Sequence, residues 1–271
     1  DALPSALGVS ATVDLTRAEG PVELRLPFSL LGEFYRTTDL SAAPGAENRC
    51  SELRQDRFGA TATVLPGGQV LIVGGARYEA NPERPNGDIA LTRLVEVYDP
   101  ATGQFLDGPP GSSRKWELRS GQARRNHTAS LLPDGRVLVA GGQGVVTPDG
   151  GGTPREEALR SAFIIDPRDL SDLRISEGGI PMMEARTGHR AVALEDGRVV
   201  LVGGRRLNPG SDRLEDQEYA ASVEVYDPAA GAFLLATGRD GNAVPLSSAR
   251  YGHVAVAIPG SADVLVAGGM N

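Results

Sequence analysis

The three histidines of the chain, His127, His189 and His253, stand 62 and 64 residues apart, and each closes a four-residue stretch that opens on arginine. The stretches are Arg124-Arg125-Asn126-His127, Arg186-Thr187-Gly188-His189 and Arg250-Tyr251-Gly252-His253, with Arg57-Phe58-Gly59-Ala60 as a copy that carries no imidazole. Two chemistries suit such a set. Imidazoles gathered round one axis could ligate a metal ion. Guanidinium groups at a channel mouth (Arg57, Arg124, Arg186, Arg250) could grip an anion or a partner's carboxylates through forked hydrogen bonds. Each residue type also has a structural use: a histidine that hydrogen-bonds backbone at the head of a strand, and an arginine that pairs with a neighbouring acid or carbonyl. Repetition favours the structural use for both, and Ala60 interrupts any ring of imidazoles.

Other chemistries find less support. The single cysteine, Cys50, cannot form an internal disulfide. There is no Gly-x-Ser-x-Gly elbow, no metal-spaced cysteine or histidine pair and no phosphate-binding glycine loop between strand and helix. Gly150-Gly151-Gly152 runs into Thr-Pro and reads as a flexible loop. The acids Asp149, Glu156, Glu157, Asp212, Glu215, Asp216 and Glu218 alternate with arginines and lack the register of a calcium site, so they read as solvated surface. Asn126-His127-Thr128 matches a glycosylation acceptor, but it heads an inner strand. No catalytic residue, cofactor or metal is therefore assigned. A net charge of −8 argues against a nucleic-acid partner. No apolar run approaches the ~20 residues that a membrane-spanning helix needs.

The elements that hold the arginines and histidines repeat as well. Residues 60–75 (ATATVLPGGQVLIVGG), 127–142 (HTASLLPDGRVLVAGG), 189–204 (HRAVALEDGRVVLVGG) and 253–269 (HVAVAIPGSADVLVAGG) align. Their closing glycines, Gly75, Gly142, Gly204 and Gly269, lie 67, 62 and 65 residues apart. Each segment predicts a strand, a tight turn and a second strand. At Asp134-Gly135 and Asp196-Gly197 the turn is expected to have positive φ at both central residues. Val137-Leu138-Val139-Ala140 is apolar throughout, as in a strand covered on both faces. The pairs Gly74-Gly75, Gly141-Gly142, Gly203-Gly204 and Gly268-Gly269 mark an exit where a Cβ would obstruct a neighbouring backbone or a positive φ. A third strand ends at Asp99 or Asp227, in VEVYDPATGQF and VEVYDPAAGAF, with a weaker copy, AFIIDP, ending at Asp166. The Asp side chain and the following Pro set a turn. Phe105 and Phe233 then open a fourth strand, whose counterpart near Leu173 is irregular.

Four-stranded antiparallel units with doubly buried inner strands imply an all-β fold of stacked sheets. With the Gly-Gly pairs, the Tyr-Asp-Pro words and the Arg-x-Gly-His leaders, the sequence resembles kelch-repeat β-propellers over roughly residues 33–271. That resemblance implies three complete blades plus one split or truncated blade, with repeats starting near 60, 127, 189 and 253. Residues 1–32, with the alternating VELRLPF, read as a lead-in strand or the edge of a preceding β domain. EFYRTTD (33–39) resembles a worn third strand. Strands from 33–56 could pair with 253–269 and close a ring; the preferred expectation is a longer protein, since every other Gly-Gly leads into a third strand.

Extra length falls after the Gly-Gly pairs (76–93, 143–161, 205–221), read as long polar loops on one face, and after the fourth strands, where Trp116 and Met182-Met183 lie. These three are packing if buried and partner anchors if exposed. Kelch propellers serve as binding platforms or, in the galactose-oxidase-like branch, as enzymes that need a tyrosine–histidine copper site. No such constellation accompanies Cys50. The reading is a non-catalytic platform or scaffold for a protein or glycan partner held by the long loops. Its alternatives are a carbohydrate-active or oxidase-like enzyme with catalytic residues elsewhere, or a structural subunit of a larger envelope assembly. The wording of the repeats resembles exported bacterial kelch proteins, which implies a place outside the cytoplasm.

Overall fold

The computed structural model describes residues 53–81, 84–147, 153–206, 218–238 and 240–270. The expectations for residues 1–52, including Cys50 and the lead-in strand, and those for Asp149, Asp212, Glu215 and Asp216 lie outside them. Among the described residues there is no helix, and every strand pairing is antiparallel.

Each repeat builds one sheet. In the first, strands Thr61–Val64, Val70–Val73, Val95–Asp99 and Gln104–Leu106 lie side by side in that order. The second sheet runs Thr128–Leu131, Val137–Ala140, Ser161–Asp166, with an outer edge split between Arg174–Ile175 and Ile180–Pro181. In the third the order is Arg190–Ala193, Val199–Val202, Val223–Asp227, Ala232–Leu235. The last repeat contributes the hairpin Val254–Ala257 and Val264–Ala267. No sheet among the described residues closes on itself.

The turn between the first two strands differs from expectation. Positive φ occurs at Gly135 (84°) and Gly197 (88°) but not at the aspartates before them. Gly135 N–H donates to Leu132 O at 2.9 Å and Leu132 N–H to Arg136 O at 2.8 Å, and Leu194, Gly197 and Arg198 repeat the pattern. This is a three-residue loop in which one left-handed glycine closes a type I turn. A loop of three needs only one positive φ, and glycine takes it at no steric cost. The aspartates brace the loop instead, with Asp134 and Asp196 accepting the N–H of Arg136 and Arg198, each at 3.0 Å.

Apolar side chains on both faces of the second strands bind one sheet to the next. Leu71, Val73, Val95 and Val97 of the first sheet meet Val137, Val139, Phe163 and Ile165 of the second in one buried cluster. Leu138, Ala140 and Ala162 then meet Val199, Leu201, Tyr226 and Phe233 of the third. Val200 and Val202 with Val223 and Val225 pack on Ala257, Val264 and Val266. Trp116 and Met182 are buried parts of this packing, whereas Met183 is exposed.

The segments after the Gly-Gly pairs are not loops over their whole length. Each carries a two-stranded hairpin: Ala76–Asn81 with Arg84–Leu91, Gln143–Val146 with Arg155–Ala158, and Arg205–Arg206 with Glu218–Tyr219. Their polar composition hides them because many of their residues are exposed or only partly buried, as Arg77, Tyr78 and Glu79 are in the first. A strand without a buried face shows no alternation of apolar residues.

Candidate functional site

The histidines lie inside the fold. His127 Nε2 is hydrogen-bonded to Thr61 Oγ1 at 3.0 Å, and His189 Nε2 to Thr128 Oγ1 at 2.9 Å. Each imidazole thus ties the head of its own first strand to the first strand of the preceding sheet. At the third junction the link changes hands, and Arg190 Nε donates to the carbonyl of His253 at 2.7 Å. Burial pushes the His127 pKa down to about 3, with the charge of Arg124 adding to the effect. His189 is pushed well below its ordinary value by burial and then by Arg186, and His253 is lowered by burial and then by Arg190. In all three the shift favours the neutral imidazole. Among the described residues no group of three or more His, Cys, Asp or Glu side chains is arranged to hold a metal ion.

The leader arginines are inside as well. Arg57, Arg124 and Arg186 are 4%, 1% and 0% exposed. Each directs one guanidinium nitrogen at two carbonyls of its own repeat. Arg124 Nη1 donates to Gly141 O at 3.0 Å and Ser161 O at 2.8 Å, and Arg186 Nη1 to Gly203 O at 2.8 Å and Ser222 O at 3.2 Å. Arg57 Nη1 does the same with Gly74 O at 3.4 Å and Leu94 O at 3.2 Å, and Arg250 Nη1 reaches Gly268 O at 2.9 Å. Burial lowers the pKa of Arg57 and Arg124 to about 10, which leaves both charged near neutrality.

Those charges need partners that the sequence reading passed over. Arg57 pairs with Glu96, and Arg186 pairs with Glu224 at 2.6 Å; both acids are buried. Glu224 also accepts the N–H groups of Met183 (2.8 Å) and Glu184 (2.9 Å). In the second sheet the same place is held by Phe163, and the Arg124 guanidinium lies 4.7 Å from the centre of its ring. The signal was present: a lone acid three residues before Asp99 and Asp227 in an otherwise apolar strand, replaced by Phe163 before Asp166. Asp99, Asp166 and Asp227 form the expected turns, accepting the N–H of Ala101 (3.0 Å), Arg168 (3.2 Å) and Ala229 (2.8 Å).

The Gly-Gly pairs join repeats. The first N–H stays at home: Gly141 N–H donates to Ser161 O at 3.1 Å. The second crosses to the next leader, with Gly75 to Arg124 O at 2.8 Å, Gly142 to Arg186 O at 2.9 Å and Gly204 to Arg250 O at 2.9 Å. A Cβ on Gly141 would stand 2.6 Å from Arg186 O and 2.7 Å from the His189 ring, and Gly203 has equivalent neighbours in Arg250 and His253. The incoming imidazole occupies the space where a side chain would be. At Gly268 the described residues leave such a Cβ open space, and at Gly269 it would meet Tyr251 O at 2.8 Å.

One end of the sheets presents the solvent-accessible chemistry. The second residue of each leader bridges to the residue that follows a Gly-Gly pair: Phe58 to Ala76, Arg125 to Gln143, Thr187 to Arg205, Tyr251 to Met270. Phe58 stacks on the exposed Tyr78 with ring centres 4.9 Å apart, and the Arg125 guanidinium of the next repeat lies 5.6 Å from the Phe58 ring. Arg125 pairs in turn with Glu156 at 2.9 Å. Farther along, Arg205 lies 4.7 Å from the ring of Tyr251, and Tyr219 is 6.4 Å from it. Val145, Ile89 and Met270 add exposed apolar surface. Aromatic faces beside fixed guanidinium and carboxylate groups can hold a peptide or a polyhydroxylated ligand without reacting with it.

No family model matches the chain, and no curated protein matches it. Among solved structures it is similar to one titled "Structure of YjhT", at 17% identity and a TM-score of 0.52. The similarity covers 79% of this chain and spans 59% of the length of that one. At that identity the likeness extends to the fold alone: all-β, with antiparallel sheets.

Proposed function

We propose that the chain is a kelch-type β-propeller serving as a non-catalytic binding platform, which engages a protein or glycan partner at the hairpin end. The sheets follow one another in chain order with a shared apolar core between each pair. Imidazole and backbone links between successive first strands support a radial array. The observation that carries the functional reading is the aromatic and guanidinium row at that end. Arg125 lies over Phe58, and Tyr251 over Gly188 and beside Arg205, so neighbouring repeats build one continuous surface. The histidines and leader arginines serve this surface from beneath by fixing the strands that present it.

The test is a screen of glycans and extracted proteins against wild type, Tyr78→Ala, Arg205→Ala and, as a control at another exposed apolar side chain, Leu234→Ala. A ligand held by wild type and by Leu234→Ala but weakened roughly tenfold or more by the other two variants is expected for a surface anchored by aromatic and arginine contacts. Equal retention by all three variants places the binding elsewhere and overturns the reading.

A further inference from the structure

A second surface is built where the connection after strand Gln104–Leu106 meets the outer strand Arg174–Ile175 of the following sheet. A cleft of about 280 Å³ opens there, lined by Arg114, Lys115, Trp116, Glu117, Arg119, Asp172, Leu173 and Ile175. Trp116 is only 3% exposed, yet its indole N–H has no hydrogen-bond partner. A buried donor left unpaired is costly and calls for an acceptor.

The charges around it are unevenly committed. Glu117 is taken by Arg93, Asp172 by Arg174 and Lys115 by Asp107, each at 2.6 Å. Arg119 holds the mostly exposed Glu177 through one nitrogen at 2.9 Å. Arg114 has no acid within pairing distance among the described residues. The cleft therefore joins two guanidinium groups with spare donors, carboxylate oxygens able to accept hydroxyl protons, an indole donor, and apolar walls from Trp116, Leu173 and Ile175. Cations and acceptors beside an aromatic wall suit a ring that carries both hydroxyls and a negative charge.

We propose that this cleft binds a carboxylate-bearing saccharide, a single uronate unit, with Arg114 and Arg119 on the carboxylate and Trp116 beside the sugar ring. Tyr78 does not line this cleft, so this site and the reading of the hairpin end can fail independently.

Trp116 is the one tryptophan of the chain and lines this cleft, so its emission is a probe of it. The experiment titrates the protein with D-glucuronate, D-glucose and acetate, following emission and calorimetric heat on the same samples. The expected result is saturable binding of glucuronate, with glucose and acetate each at least about tenfold weaker, as loss of charge-assisted contacts or of ring contacts requires. Arg114→Gln and Arg119→Gln should each weaken glucuronate by about tenfold with the unfolding midpoint unchanged, since both side chains lie on the surface. Tyr78→Ala should leave it unaltered. Absence of saturation in both readouts, glucose or acetate binding as tightly as glucuronate, or indifference to both arginine variants overturns the proposal.

Discussion

Arg186 lies in the interior among acceptors that face its guanidinium. Glu224 faces it, two carbonyls accept from it, and Glu224 itself is held by the backbone N–H groups of Met183 and Glu184. Glu224→Ala strands a buried cation and two N–H groups, and should destabilise the protein by about 3–5 kcal/mol in urea unfolding. Replacing Phe163 by alanine removes a buried ring rather than a counter-charge, at a cost of about 3–5 kcal/mol for the lost packing. The pH response separates the two kinds of burial, because histidine rather than carboxylate sets it in mild acid. A neutral buried imidazole has its folded pKa depressed, so its stability is fully present above the unfolded value of about 6.5 and is lost as pH falls below it. For His127 the loss continues down to about pH 3. Urea midpoints should fall between pH 7 and 5, with a slope of roughly 1.4 kcal/mol per pH unit for each fully buried imidazole, and His189→Asn should flatten that slope. A slope unchanged in the variant would assign it to other groups. At this scale the sequence showed which residue types recur but not their partners, since Glu96 and Glu224 read as parts of a strand word until Arg57 and Arg186 are placed against them.

Between strands, the first residue of the Gly-Gly pair is constrained from outside its own repeat. Gly141→Ala must relieve contacts of 2.6 Å with Arg186 O and 2.7 Å with the His189 ring, besides a φ of 58°. Gly231→Ala, in the turn after Val223–Asp227, meets only the strain of a φ of 65°. The change at Gly141 should cost several kcal/mol, and that at Gly231 about 1 kcal/mol, the penalty for an L-residue in the left-handed region. Thermal midpoints of the two variants make the comparison, and equal losses would remove the neighbour contact as the cause. The apolar second strands were legible because Val137–Ala140 and Val199–Val202 are buried on both faces and carry no polar residue to obscure them. The hairpins after Gly-Gly were not, because their order comes from backbone pairing across exposed residues rather than from a buried face. The turn was half legible: Asp134-Gly135 marked its place, whereas the loop length that decides how many residues take positive φ depends on the pairing of Leu132 with Arg136.

At the scale of the whole array, burial among the described residues is graded from the inner strands to the hairpins: Val137–Ala140 and Val199–Val202 are buried at every position, whereas Ala76–Asn81 is mostly exposed. In a stack where each unit touches its neighbours, opening free energies follow that grading. Amide exchange should be slowest in Val137–Ala140 and Val199–Val202 and markedly faster in Ala76–Asn81; uniform exchange would mean that strands and hairpins open together. The period of the repeats was enough to foretell stacked antiparallel sheets, because one sheet cannot bury two apolar faces alone. It could not foretell the exposed aromatic and guanidinium contacts, since Phe58 meets Arg125 and Tyr251 meets Arg205 only when consecutive repeats are set beside one another. The hydrogen bonds that seat one repeat on the next run from a glycine N–H to an arginine carbonyl, main chain to main chain. Such a joint demands glycine at the exit and an imidazole beside it, and places no demand on the side chains of the loops and hairpins beyond. Loops, hairpins and surface residues can therefore diverge from one repeat to the next, or be transplanted between them, while the coupling that holds the row in line stays the same.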